Sequence, residues 1–178
     1  MMILIAERIN ASRKSIAEAI SNEDVDFIQR EAKSQADAGA SFIDVNAGTF
    51  VGEEATKLKW VVETVQSVVD VPLCLDSPDP KVIEEILPLV KTSPVMINSI
   101  NLEPARLKSL LPLVVENDAK VIGLCQSEDK MAETAEEKLQ FAGRLVEEVN
   151  KAGVPLDNLF IDPLVYPVST KGKSAVET

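Results

Sequence analysis

Short apolar segments alternate with longer amphipathic segments along the chain. Six of the short segments are almost continuously apolar, at residues 3–6, 42–45, 73–75, 95–97, 121–124 and 159–161. Continuous apolar character is typical of parallel strands that are covered on both faces. The longer segments carry apolar residues at helical spacing. The pattern therefore predicts six βα units that follow one another in a single direction.

Capping residues mark the ends of several predicted helices. Ser21 followed by Asp24 resembles a capping box, and Thr134 followed by Glu137 repeats the pattern. Gly39 stands where a C-terminal cap is expected, because glycine adopts the left-handed backbone conformation without strain. These signals predict that each strand is followed by at least one well-delimited helix.

Two architectures accommodate six such units, an open doubly wound sheet and a closed (β/α)8 TIM barrel. The glycine fingerprint that follows the first strand of a dinucleotide-binding sheet is missing, since residues 7–10 read Glu-Arg-Ile-Asn. Polar residues end nearly every predicted strand, and in a barrel they form a ring around one mouth. We therefore predict a TIM barrel. A barrel of this type has eight strands and about 250 residues, so residues 1–178 are interpreted as one domain that holds the first six strands and the start of the next helix.

Charge and composition narrow the possible functions. The formal net charge is −11, which disfavours binding to nucleic acid or to anionic membranes. No apolar stretch approaches the ~20 residues that a membrane span needs, and a cytoplasmic protein is expected. Histidine is absent, which removes the usual neutral-pH general base. The two cysteines have no partners at metal-ligand spacing and are expected to be reduced thiols.

Carboxylates, carboxamides and a hydroxyl follow the predicted strands. The candidate site residues are Glu7, Asn10, Asp44, Asn46, Asp76, Ser77, Asn98, Gln126 and Asp162. Each one taken alone is more often a helix cap or a turn former. A ring of Asp and Asn without neighbouring Arg or Lys suits a neutral heterocycle with amide and amino donors, such as a pterin. The alternative is a Mg²⁺ site formed by three of the aspartates, Asp44, Asp76 and Asp162; we favour the heterocycle and expect no metal.

Five short motifs resemble one family. They are IAERIN at residues 5–10, FIDVNAG at 42–48, LCLDS at 73–77, MINS at 96–99 and FIDPL at 160–164. Together they resemble the methyltetrahydrofolate:corrinoid-protein methyltransferases, whose relatives include the folate domain of cobalamin-dependent methionine synthase. The resemblance runs from residue 3 to about residue 167.

The resemblance implies an enzyme that moves a methyl group between N5 of methyltetrahydrofolate and the cobalt of a cobalamin carried by a separate corrinoid protein. By similarity, Asp76, Asn98 and Asp162 hold the pterin ring and form the catalytic set. The wider pterin-binding set comprises Glu7, Asn10, Asp44, Asn46, Ser77 and Gln126. Pairing into a homodimer is also implied. In the family an Asn from the seventh strand region reaches N5, and no such region is found here, so activity of these residues alone is not expected.

Two other functions stay open. Dihydropteroate synthase shares the barrel and the pterin pocket, but Asn98 is followed here by Ser99, where the synthase usually has Asp, and no basic diphosphate-binding loop is visible. A non-catalytic fragment or scaffold that docks a corrinoid protein is the other alternative. The direction of methyl transfer, the methyl donor, and the choice between folate and methanopterin are not determined by the sequence.

Overall fold

A computed structural model describes residues 2–167, 169, 172 and 174–178. The chain divides into two compact units, Met1–Asn98 and Ser99–Thr178, and the boundary falls within the fourth strand. No helix in the described ranges is both long and apolar enough to span a lipid bilayer.

The first unit consists of parallel strands that alternate with helices. Its strands are β1 (Ile5–Asn10), β2 (Phe42–Asn46), β3 (Leu73–Asp76) and the start of β4 (Met96–Ile100). Each strand pairs in parallel with the next one along the chain. The helices are α1 (Lys14–Ser21), α2 (Val25–Asp37), α3 (Glu54–Gln66) and α4 (Pro80–Ile86), and a single 3₁₀ turn (Leu87–Leu89) follows α4.

The second unit continues the same alternation. Its elements are α5 (Pro104–Glu116), β5 (Lys120–Leu124), α6 (Ala135–Lys151), a 3₁₀ turn (Leu156–Asn158) and β6 (Leu159–Asp162). β5 and β6 pair in parallel. The described residues thus contain six parallel strands that alternate with helices, and the predicted βα order is confirmed.

The core of the first unit lies between its strands and its helices. Ile43 and Val45 of β2 are fully buried, as are Leu58 and Val61 on one face of α3. Asp44 lies between Ile43 and Val45 on β2 and points to the opposite face, because successive strand residues alternate. Burial of apolar area on the helix-covered face holds the strands in register and leaves the other face for polar side chains.

The bounds of β1 differ from the sequence prediction. The strand was expected to end at Ala6, but it runs to Asn10, so that Glu7 and Asn10 lie within it and not after it. Pairing with β2 shifts between Ala6 and Ile9, which is the mark of a bulge. The side chain of Gln35 supports this irregular stretch by accepting a hydrogen bond from the backbone N–H of Arg8 at 3.0 Å.

β4 also extends beyond its predicted apolar segment. The expected strand at residues 95–97 instead covers Met96–Ile100, which places Asn98 inside the strand. The apolar pattern marks where side chains are buried, whereas backbone pairing continues through polar residues at the strand end. Polar side chains at this end therefore have the fixed spacing of a β-ladder.

One of the predicted capping boxes is wrong. α1 continues through Ser21, and Asp24 is the N-cap of α2, where its carboxylate accepts from the N–H of Phe27 at 3.0 Å. The Thr134 box is confirmed, because Thr134 Oγ1 accepts from the N–H of Glu137 at 3.2 Å. Gly39 follows the end of α2 with φ of +88°, as expected for a C-terminal cap.

Candidate functional site

Four of the predicted site residues lie side by side at the C-terminal ends of neighbouring strands. In the parallel ladders Asn10 is opposite Asn46, Asn46 is opposite Asp76, and Asp76 is opposite Asn98. Paired residues on parallel strands project to the same side of the sheet. We call Asn10, Asn46, Asp76 and Asn98 the strand-end row. The first unit thus brings together residues that are separated by up to 88 positions in the sequence.

Both the nitrogen and the oxygen of the Asn46 carboxamide form hydrogen bonds within the protein. Its Nδ2 donates to the backbone oxygen of Asp76 at 3.2 Å, and its Oδ1 accepts from the N–H of Gly48 at 3.0 Å. A Cβ at Gly48 would lie 3.4 Å from Pro78 and 3.5 Å from Asn46 Nδ2, so the loop passes close to its neighbours. Asn46 therefore holds the loop after β2 against the end of β3.

Asn10 has a comparable local role on the neighbouring strand. Its Oδ1 accepts from the N–H of Ser12 at 2.9 Å, which forms a turn between β1 and α1. The backbone is tied to β2 as well, because the N–H of Ala11 donates to the carbonyl of Asn46 at 3.0 Å. These bonds fix the first loop of the site.

Asp44 lies one layer deeper than the strand-end row. It is only 1% exposed, and its Oδ2 accepts a hydrogen bond from Nδ2 of Asn98 at 3.1 Å. Burial, followed by the negative charge of Asp76, raises the pKa of its carboxyl group from 3.8 to about 7. Hydrogen bonds from Asn98 and Cys74 oppose this rise, while Glu7 adds to it. Asp44 therefore exchanges a proton near neutral pH, unlike an ordinary aspartate.

Cys74 is a part of this environment that the sequence did not single out. It is buried and not in a disulfide, which confirms the expected reduced thiol. It lies directly opposite Asp44 in the ladder, and burial followed by the charge of Asp44 raises the pKa of the thiol well above its usual value. The sequence feature that could have identified Cys74 is its position two residues before Asp76, on the same face of the same strand.

Ser77 follows the strand-end row and is almost fully buried, with 1% exposure. Its Oγ donates to the carboxylate of Glu54 at 2.6 Å and accepts from the N–H of Asp79 at 3.1 Å. Asp79 in turn caps α4 by accepting from the N–H of Lys81 at 2.9 Å. Ser77 thus joins the end of β3 to the starts of α3 and α4. Glu7, by contrast, is exposed within β1 and acts on Asp44 through its charge.

The two remaining predicted site residues belong to the second unit. Asp162 ends β6, where it is opposite Leu124, and its Oδ1 accepts from the N–H of Leu164 at 2.8 Å. Gln126 lies just after β5, and its backbone carbonyl accepts from the N–H of Leu102 at 2.9 Å. Both residues therefore stand at or just past the C-terminal ends of neighbouring strands within this unit.

The polar face of the first unit carries carboxylates and a carboxamide. The face combines the carboxylates of Glu7, Asp44 and Asp76 with the carboxamide of Asn98. Across the described ranges, no group of three or more His, Cys, Asp or Glu side chains is arranged to hold a metal ion. The arrangement suits a ligand that presents N–H donors, since acidic and amide oxygens accept hydrogen bonds from such groups.

Parallel strands that alternate with helices and end in polar residues define a (β/α) barrel type of fold. A solved dihydropteroate synthase from Vibrio fischeri ES114 has this fold, with a TM-score of 0.69 over 92% of this chain and 61% of that chain. The sequence identity is 19%, so this likeness concerns the fold alone. The chain belongs to the family of pterin-binding enzymes, whose profile matches residues 6–177.

Two relatives with assigned functions are similar in sequence. The methylcorrinoid:tetrahydrofolate methyltransferase of Eubacterium limosum is 36% identical over 175 residues, which are 97% of this chain and 64% of that protein. The methionine synthase of Mycobacterium tuberculosis (strain ATCC 25618 / H37Rv) is 28% identical over 176 residues, 95% of this chain and 15% of that protein. The chain therefore spans less than two thirds of the length of either relative. The resemblance predicted from the five motifs is confirmed.

Proposed function

We propose that this chain forms the pterin-binding part of a methyltransferase that moves a methyl group between N5 of methyltetrahydrofolate and the cobalt of a corrinoid protein. The observation that carries the proposal is the pairing of Asp76 with Asn98 at the ends of β3 and β4, in a chain 36% identical to the Eubacterium limosum methyltransferase. The similarity to dihydropteroate synthase is one of fold alone, whereas the similarity to the methyltransferase is one of sequence.

The proposal assigns three side chains to the pterin ring, as the family resemblance implies. Asp76 and Asp162 accept hydrogen bonds from ring N–H and amino groups, and Asn98 offers an amide that can accept or donate. Bonds to a carboxylate are charge-assisted and therefore position a flat ring firmly.

These side chains contribute to catalysis by positioning. N5 is a poor leaving group unless it is protonated or its developing charge is stabilised. When bound, the corrinoid supplies the cobalt atom that exchanges the methyl group with N5. Holding the ring in one orientation lets the reacting atoms align, which can lower the barrier substantially. Asp76, Asn98 and Asp162 would therefore act by fixing the ring.

The proposal is tested by measuring methyltetrahydrofolate binding with isothermal titration calorimetry. Asp76→Asn and Asp162→Asn should each weaken binding by about 10- to 100-fold, because each removes a charged acceptor worth roughly 1.5–3 kcal/mol. Asp70→Asn is the matched control, since Asp70 is exposed and precedes the start of β3, whereas Asp76 is at the other end of that strand. Binding that is unchanged in both site variants, or variants that only lower the melting temperature, would contradict the assignment.

The partner and location follow from the same proposal. A corrinoid protein as the partner is supported by the name of the Eubacterium limosum relative. A cytoplasmic location and the pairing of two copies are further parts of the proposal and rest on the sequence and on the family resemblance alone. A scaffold that docks a corrinoid protein without binding pterin would keep corrinoid-protein binding and show no heat with methyltetrahydrofolate. A synthase would instead join 4-aminobenzoate to a pterin diphosphate, which an assay for dihydropteroate detects.

A further inference from the structure

Asp44 is too deeply buried to line a ligand pocket, yet it contacts a residue that can. Its exposure is 1%, and its Oδ2 accepts a hydrogen bond from Nδ2 of Asn98 on β4 at 3.1 Å. Asn98 is less buried than Asp44 and belongs to the strand-end row. The two residues therefore form an inner and an outer position of one hydrogen-bonded pair.

We propose that Asp44 is a positioning residue that sets which end of the Asn98 carboxamide faces the ligand. The inference rests on the proposed function for the nature of that ligand, a ring with N–H donors. It assigns to Asp44 a role exerted through Asn98, and not by direct contact with the ring.

The physical basis is the difference between the two forms of a carboxyl group. An ionised carboxylate can only accept hydrogen bonds, so it requires the NH₂ end of the carboxamide to face it. Oδ1 of Asn98 then lies at the other end of the amide, and no described side chain or backbone group donates to it. A neutral carboxylic acid can also donate, and it can therefore hold the amide turned round, with Oδ1 inward and NH₂ outward. Ionised Asp44 thus presents an acceptor to the ligand.

The surroundings of Asp44 make both forms accessible near neutral pH. Burial and the negative charges of Asp76 on β3 and Glu7 on β1 favour the neutral acid, whereas the donors Asn98 and Cys74 favour the carboxylate. With the pKa of Asp44 at about 7, the carboxylate dominates above neutral pH and the acid below it. A ligand that donates to Asn98 should therefore bind more tightly as the pH rises through 7.

The first measurement needs no ligand. The side-chain ¹⁵N–¹H₂ signals of Asn98 are followed by nuclear magnetic resonance from pH 5.5 to 8.5. We expect them to shift with a midpoint near 7 in the wild type and to stay constant in Asp44→Asn, which does not titrate. Signals of Asn98 that do not move across this range in the wild type would overturn the inference, whatever the protein binds.

The second measurement is the affinity for methyltetrahydrofolate over the same pH range. The wild type and the control Asp70→Asn should gain about tenfold in affinity from pH 5.5 to 8.5, the size of one hydrogen bond. Asp44→Asn should show a flat profile. In an Asn98→Ala background, Asp44→Asn should have no further effect, because the pair then no longer exists.

The outcomes separate the two proposals. If the wild type binds methyltetrahydrofolate but Asp44→Asn keeps the same pH profile, Asp44 has no positioning role. If the wild type binds no methyltetrahydrofolate at any pH while Asn98 still titrates with Asp44, the proposed function fails and the pairing of the two side chains stands.

Discussion

The hydroxyl group of Ser77 donates a 2.6 Å hydrogen bond to the carboxylate of Glu54, which joins the end of β3 to the first turn of α3. Ser77 is almost fully buried, so its hydroxyl finds its partners within the protein. The same hydroxyl accepts from the N–H of Asp79, so one small side chain organises two loops. The stability of this corner should therefore depend on it.

Ser77→Ala should lower the free energy of unfolding by about 2 kcal/mol, since it leaves a carboxylate and a backbone N–H without their partner. Glu54→Gln should cost less, because the amide oxygen still accepts the bond. Urea unfolding at pH 7 measures both variants and the double variant. Strictly additive effects in the double variant would show that the two side chains are not coupled.

Asp44 should make the stability of the protein decrease as the pH rises. Its pKa in the folded protein is about 7, compared with 3.8 for an ordinary aspartate, so the folded state keeps the proton that the unfolded state loses. The contribution is fully present below about pH 4 and is lost as the pH rises through 7. Ionising Asp44 in the folded state then costs on the order of 4 kcal/mol.

Asp44→Asn removes that cost. The variant should unfold at a higher urea concentration than the wild type at pH 8, and the difference should shrink towards pH 4. Thermal or urea unfolding at several pH values measures this trend. A difference between the two proteins that does not change with pH would show that Asp44 titrates as it does in the unfolded chain.

Asn46 should matter for stability as well as for the proposed site. Asn46→Ala removes the bond to the carbonyl of Asp76 and the bond from the N–H of Gly48, and should destabilise the protein by about 2 kcal/mol. Asn46→Asp keeps an acceptor for Gly48 but loses the donor to Asp76 and adds a negative charge beside the other acids. It should be no more stable than Asn46→Ala at pH 8. Chemical unfolding of the two variants at pH 8 compares them, and a fully stable Asn46→Ala would mean that water replaces both bonds.

Two glycines in the second unit should respond in opposite directions to the same substitution. Gly143 lies within α6 and a Cβ there meets no atom within 4 Å, so Gly143→Ala should stabilise the protein by about 0.5–1 kcal/mol. A Cβ at Gly123 of β5 would lie 3.3 Å from Leu145 and 3.3 Å from Leu159, and Gly123→Ala should destabilise by about 1 kcal/mol. Differential scanning calorimetry of both variants measures the shifts. A destabilised Gly143→Ala would contradict the open space described there.

The sequence by itself determined the βα order and the residues at the strand ends. The apolar segments are local signals, because a strand covered on both faces must be apolar over its length. Asp76 and Asn98 were identified in the same way, since parallel strands place their C-terminal ends at one edge. The helix signals were also local, although the choice of Asp24 over Ser21 depended on where α1 ended.

Only the tertiary structure decided the depth and the contacts of each polar residue. Asp44 and Asn46 are two residues apart on one strand, yet one is buried beneath Asn98 and the other bonds to Gly48 and the backbone of Asp76. The proton affinity of Asp44 depends on burial and on Asp76, Cys74 and Glu7, which belong to other strands. Such effects depend on distances between residues far apart in the chain, and a one-dimensional pattern of apolar and polar residues does not contain those distances.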